Sequence, residues 1–97
     1  MDKQERKEIL GKLKQQEKEK KVSLLPMSVQ VLKKFFNFLN ERLENGERGD
    51  SLKLTNEFCK NENLDFDKVK MWAAKFGGYD DAEIVWNCEQ EYDFLIE

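Results

Sequence analysis

A chain of 97 residues is long enough to bury one small core and not two. Apolar residues make up 39% of it, with seven Phe and two Trp, while 38% is charged and the net charge is −3, so a packed core sits under a heavily solvated surface. The absence of His removes the usual general base near neutral pH, the commonest metal ligand, and any Ser-His or Cys-His nucleophile pair.

Residues 1–21 carry eight Lys/Arg against five Asp/Glu and read as a charged N-terminal helix or arm ahead of a single compact α-rich domain, 22–97. Lys, Glu and Gln favour helix there, yet Ile9, Leu10 and Leu13 form only one short apolar stripe. A helix so polar needs something to dock on, and its own core is the default. No apolar run opens the chain, and no window approaches the roughly 20 apolar residues of a membrane span. A secretory signal and a membrane partner are therefore not expected. Cys59 and Cys88 lack C-x-x-C spacing and read as two reduced thiols, which together point to the cytoplasm.

The only proline, Pro26, disfavours helix at Leu25 and predicts a break there, with Leu24 and Leu25 tucked into the core. Ser28 is placed to cap the strongest helix, whose Leu32, Phe35, Phe36, Leu39 and Leu43 make one apolar face before Asn45-Gly46 ends it. Phe38 lies off that stripe, so this helix is expected to be covered on two sides. After a polar loop containing Arg48-Gly49-Asp50, Ser51 offers a cap for a third helix that buries Leu52, Thr55, Phe58 and Cys59. Asp65 caps a fourth, which buries Val69, Trp72, Ala73 and Phe76, and Gly77 stops it. Gly77-Gly78 then predicts a tight turn. Ile84, Val85 and Trp86 are β-branched or aromatic and predict a strand, paired with residues 91–96, the connector near Leu24, or a second copy. The expected fold is α+β and mostly α: four helices, a helix-turn-helix-like pair in the middle, and a small C-terminal β-strand or hairpin.

Three chemistries remain open to such a chain. The third and fourth helices have helix-turn-helix proportions, with Lys68, Lys70 and Lys75 as nucleic-acid contacts and the following strand as a wing. Against this, the fourth helix lacks the Arg, Asn and Gln that read base edges, and the chain is acidic overall, with seven acids and no Lys or Arg in residues 80–97. Asp50, Asp80, Asp81 and Glu83 are oxygen donors for a divalent ion, without the EF-hand spacing. No Gly-rich phosphate loop opens a helix, so neither a catalytic residue nor a cofactor is expected.

Leu25-Pro26-Met27-Ser28, Leu52-Lys53-Leu54-Thr55, Asn63-Leu64-Asp65 and Gly77-Gly78-Tyr79 through Glu83 and Asn87 resemble a bacterial family of small domains of unknown function (DUF family 2695) over residues 25–89. The pattern of that family has Cys-Asp-His-Thr before the third helix and Gly-Gly-Tyr-Cys-Asp-Cys-Glu at the final turn. Brought together, such Cys and His residues would suit zinc. This chain reads Arg48-Gly49-Asp50-Ser51 and Asp80-Asp81-Ala82 instead, so it is a variant without the soft ligands. Tyr79, Asp81, Glu83 and Asn87 persist. The reading that follows is a non-enzymatic protein-interaction module whose contact surface is Tyr79, Asp81, Glu83, Trp86 and Asn87, with another protein or a second copy as its partner. A winged-helix-like nucleic-acid binder and a metal-binding module are the alternatives. With Trp86 in the core and Tyr79 as its lid, the same turn would serve stability alone.

Overall fold

The computed structural model describes residues 16–96, with the side chain of Ile96 left out. The stripe of Ile9, Leu10 and Leu13 lies outside the described residues. α1 is described over 16–23, and three longer helices follow: α2 (Val29–Glu44), α3 (Lys53–Asn61) and α4 (Phe66–Ala74). A C-terminal helical run then occupies residues 81–96. It begins as an α-turn (Asp81–Glu83), widens to a π-turn (Ile84–Cys88), tightens to a 3₁₀ turn (Glu89–Tyr92) and ends as an α-turn (Asp93–Ile96).

The helix ends follow local chemistry. The Ser28 side chain accepts from the Val31 amide, and Asp65 accepts from the amides of Asp67 and Lys68, each filling part of the unpaired first turn of its helix. Gly46 and Gly77, at φ +91° and +84°, end α2 and the turn after α4. Ser51 caps α3 in part, its hydroxyl accepting from the Lys53 amide at 3.3 Å. The N-cap of α3 is Leu52, which has no side-chain bond to give, and a residue far along the chain supplies the rest of the cap.

Leu32, Phe35, Phe36 and Leu39 of α2 face Leu54, Phe58 and Cys59 of α3 and Val69, Trp72 and Ala73 of α4 in a single core. Aromatic rings fill much of it: Phe35 lies 5.1 Å from Phe58, and Trp72 lies 5.6 Å from Tyr92, within the range of favourable ring pairs. Phe38, off the main stripe, packs on Phe58 at 5.4 Å and carries the Arg42 guanidinium on its outer side, which covers α2 on a second face. Leu43, Leu52 and Phe76 sit at the margin of the core, half-buried.

The C-terminal strand and the α+β class are wrong. Every element among the described residues is helical, and Ile84, Val85 and Trp86 lie in the π-turn. Asp80 is the reason this stretch starts a helix. Its backbone is extended at φ −144°, ψ 174°, and its side chain accepts from the Glu83 amide at 2.7 Å. An Asp followed three residues later by Glu marks a helix start, and here it overrides the β preference of the residues beyond. The stripe that matters is Asp81, Ile84, Cys88 and Tyr92, all fully buried. Spacings of three, four and four keep these side chains on one helical face, and the π-turn within the run is closed by the Glu89 amide donating to the Ile84 carbonyl. Gly78 allows this run to pack closely, because a Cβ there would come within 2.8 Å of Cys88 Sγ and 2.9 Å of Ile84.

The connector breaks after residue 23, as Pro26 requires, yet Leu24 remains exposed and only Leu25 is half-buried. α1 rests on the C-terminal run. Tyr92 Oη donates to the Lys21 carbonyl at 2.9 Å, Lys21 Nζ pairs with Glu91 at 2.8 Å, and the Lys18 ammonium lies over the Phe94 ring.

Candidate functional site at the Gly77–Asn87 turn

Asp81 is the anchor of this turn and has no exposed surface. One of its oxygens accepts from the Thr55 amide at 3.0 Å and the Thr55 hydroxyl at 2.6 Å, and the other from the Leu54 amide at 3.0 Å. The carboxylate therefore completes the cap of α3, delivered from 26 and 27 residues away. Burial pushes its carboxyl above the usual range, while the three hydrogen bonds pull the other way. Backbone bonds complete the junction: the Asp81 amide donates to the Ser51 carbonyl at 2.8 Å, and the Ala82 amide to the Gly49 carbonyl at 3.1 Å. A Cβ at Gly49 would meet both Ala82 and Leu43 at 2.8 Å, so the middle of the Arg-Gly-Asp triplet is a packing position.

The other side of the turn is held by Asn87, whose amide nitrogen donates to the Gly77 carbonyl at 3.0 Å. Between the two clamps the chain carries two large aromatic side chains outward. Tyr79 is 67% exposed and Trp86 is 69% exposed. Trp86 is thus not a core residue, and Tyr79 is not a lid on it. Glu83 is half-buried, its carboxyl raised by partial desolvation and by the neighbouring Asp80. Of the five residues expected to form one contact surface, Tyr79 and Trp86 face solvent, whereas Asp81 and Asn87 build the support beneath them. What sequence reasoning missed is Thr55 as the partner of Asp81, a pairing without any local signal.

The metal alternative does not assemble. The two stretches where the resemblance implies zinc do meet, through the Gly49–Ala82 and Ser51–Asp81 backbone bonds. The side chains they bring are Arg48, Asp50, Asp80 and Ala82, a donor set without sulfur or imidazole and with a fixed cation in it. Asp80 is spent on the Glu83 amide and Asp81 on α3. Among the described residues no group of three or more carboxylates or thiols is gathered to hold an ion.

The nucleic-acid alternative keeps its two helices and loses its wing, because the residues after α4 continue as helix. Lys68, Lys70 and Lys75 are all exposed, but they do not share a face. Lys68 and Lys75 flank Met71 along one side of α4, beside the connector. Lys70 lies across the helix, on the far side of the buried Val69 and Ala73. Cys59 and Cys88 are free and buried, and burial pushes their thiols up to about 11 and about 12, which leaves neither as a nucleophile at neutral pH. Among the described residues no helix is long and apolar enough to cross a membrane.

The chain belongs to the family described as protein of unknown function (DUF2695), whose model matches residues 35–87, from the middle of α2 through the Asn87 clamp. No curated protein and no solved structure matches it.

Proposed function

We propose that this member of the DUF2695 family is a non-enzymatic protein-interaction module that presents Tyr79 and Trp86 as its contact surface. The observation that carries the reading is the exposure of both rings, at 67% and 69%, on a turn clamped at both ends by Asp81 and Asn87. Large apolar rings that stay in water gain most when a partner covers them, and a turn already fixed loses little further freedom on binding. The partner is another protein or a second copy of the chain. Two buried thiols left unpaired support a reducing compartment, the cytoplasm.

The test compares the wild-type chain with a Tyr79→Ser/Trp86→Ser double variant in affinity capture from a native lysate, with and without nuclease, alongside sedimentation of each purified protein. The expected result is a stoichiometric partner, or a self-associated species, that survives nuclease and is lost with the double variant while the melting temperature is kept. Equal capture by both proteins would remove the aromatic surface from the account. Capture that vanishes with nuclease would move the nucleic-acid alternative to first place.

A further inference from the structure

A second exposed surface lies apart from the Gly77–Asn87 turn, where the connector after α1 runs beside α4 and leaves a groove of about 290 Å³. One wall is Leu24, Leu25 and Pro26. The other is α4, which contributes Met71, 68% exposed, and the edge of the otherwise buried Trp72. Lys68 and Lys75 stand at the two ends of that wall, and among the described residues no carboxylate lines the groove.

The backbone amides around this groove have nothing left to donate to an extended peptide. The Leu24 amide is already bonded to the Lys20 and Lys21 carbonyls and the Leu25 amide to Val22, while Pro26 has no N–H. α4 spends its amides internally. An added strand would find no donors for its carbonyls, whereas a helix brings its own hydrogen bonds and needs only side-chain contacts. Met71 suits such a guest, because its unbranched thioether adapts to the shape of the side chains laid on it. Lys68 and Lys75 are seven residues apart, roughly 10 Å along a helix axis, which is about two turns of a helix lying alongside. Their charge calls for carboxylates at that spacing. A polyanion such as DNA is the poorer fit: Lys70 is across the helix, and the chain as a whole carries a net charge of −3.

We infer that the groove between the connector and α4 is the docking site for an acidic amphipathic helix of a partner protein. Apolar side chains at three- and four-residue spacing rest on Leu25, Met71 and Trp72, and flanking carboxylates meet Lys68 and Lys75. This site is independent of Tyr79 and Trp86, and either can fail without the other.

The experiment pans a display library of random helix-length peptides on a Trp86→Phe protein, counter-selecting on Lys68→Glu/Lys75→Glu. All three side chains are exposed, so the variants keep the wild-type melting temperature; Lys68→Gln/Lys75→Gln replaces the charge-reversed pair should it fall. Synthetic copies of the enriched peptides are then titrated with Trp72 as the remaining tryptophan. The expected peptides carry apolar residues at helical spacing with Asp or Glu beside them. They perturb Trp72 emission, and they weaken roughly tenfold on the double charge reversal and on Met71→Glu. Failure to enrich any peptide, enrichment of basic or proline-broken sequences, or equal affinity for the charge-reversed protein would each overturn the proposal. So would salt-dependent binding of a short DNA duplex or of phosphatidylserine vesicles that the lysine substitutions abolish while leaving peptide binding unchanged.

Discussion

Two junctions hold helix ends to the rest of this molecule, and they are built differently. At the first, a buried carboxylate of the C-terminal run, Asp81, receives two amides and a hydroxyl from the start of α3. At the second, the Tyr92 hydroxyl of the same run donates to one carbonyl at the end of α1, with the partly exposed Lys21–Glu91 pair beside it. The first closes over the core and cannot open without giving up three buried hydrogen bonds and wetting apolar surface. Among the described residues the second opens at the cost of one hydrogen bond, a surface ion pair worth little in water, and the Lys18–Phe94 contact. The difference predicts a molecule in two tiers of stability: α2, α3, α4 and the C-terminal run as one cooperative unit, and α1 as a latch on it.

The largest effect expected is at the first junction. Asp81→Ala strips the cap from α3 and strands the Leu54 and Thr55 amides in the interior, a loss of about 3 kcal/mol or more. With each kcal/mol worth about 4–8 °C in a domain of this size, thermal melting by circular dichroism reads it directly. The adjacent Asp80→Ala removes a half-buried local cap and costs about 1 kcal/mol. Equal effects from the two neighbours would mean that Asp81 does not bridge the elements.

The thiols sharpen the same point through pH. Cys59 and Cys88 lie on α3 and the C-terminal run, and burial raises them to about 11 and about 12 from an ordinary value near 9.0. The unfolded chain releases those protons first as pH rises, so thiolate formation favours unfolding, and stability present below pH about 9 is lost progressively as pH climbs toward these raised values. Cys59→Ala/Cys88→Ala is expected to flatten that part of the stability curve. In the native wild type at pH 8, both thiols should react with a disulfide reagent only at the rate of global opening. Fast labelling of either would show the first junction to be loose.

Much of this architecture was legible because its causes are local. Ser28 and Asp65 cap the helices they precede, Pro26 breaks the chain, and the α2 stripe from Leu32 to Leu39 is buried. The C-terminal run misled because two signals compete there. Ile84, Val85 and Trp86 favour strand by type, whereas Asp80 with Glu83, and the spacing of Asp81, Ile84, Cys88 and Tyr92, favour helix; the second set wins because it buries four side chains at once. Leu24, expected inside, lies outside, while Leu25 and Met27 of the same connector pack against the core. At the site, exposed Tyr79 and Trp86 and buried Asp81 look alike in sequence. Only the contact of Asp81 with Thr55, 26 residues away, separates them.

The second junction gives the smaller effect and the more selective one. Tyr92→Phe keeps the ring tilted against Trp72 and edge-on to Phe76 but deletes the hydroxyl that accepts from Trp72 Nε1 at 3.0 Å and donates to Lys21. The expected loss is about 1–2 kcal/mol, mainly from the indole N–H left unpaired. Hydrogen exchange separates the tiers: amides of residues 16–23 should lose protection in this variant, while those of α2 and α3 follow only the global change, and thiol labelling stays slow. Uniform loss of protection across every helix would merge the two tiers into one cooperative unit. Protection of α1 that survives the substitution would transfer its docking to the Lys21–Glu91 pair and the Lys18–Phe94 contact, and raised salt, which screens charges in water and leaves a buried hydroxyl bond almost untouched, would then release it.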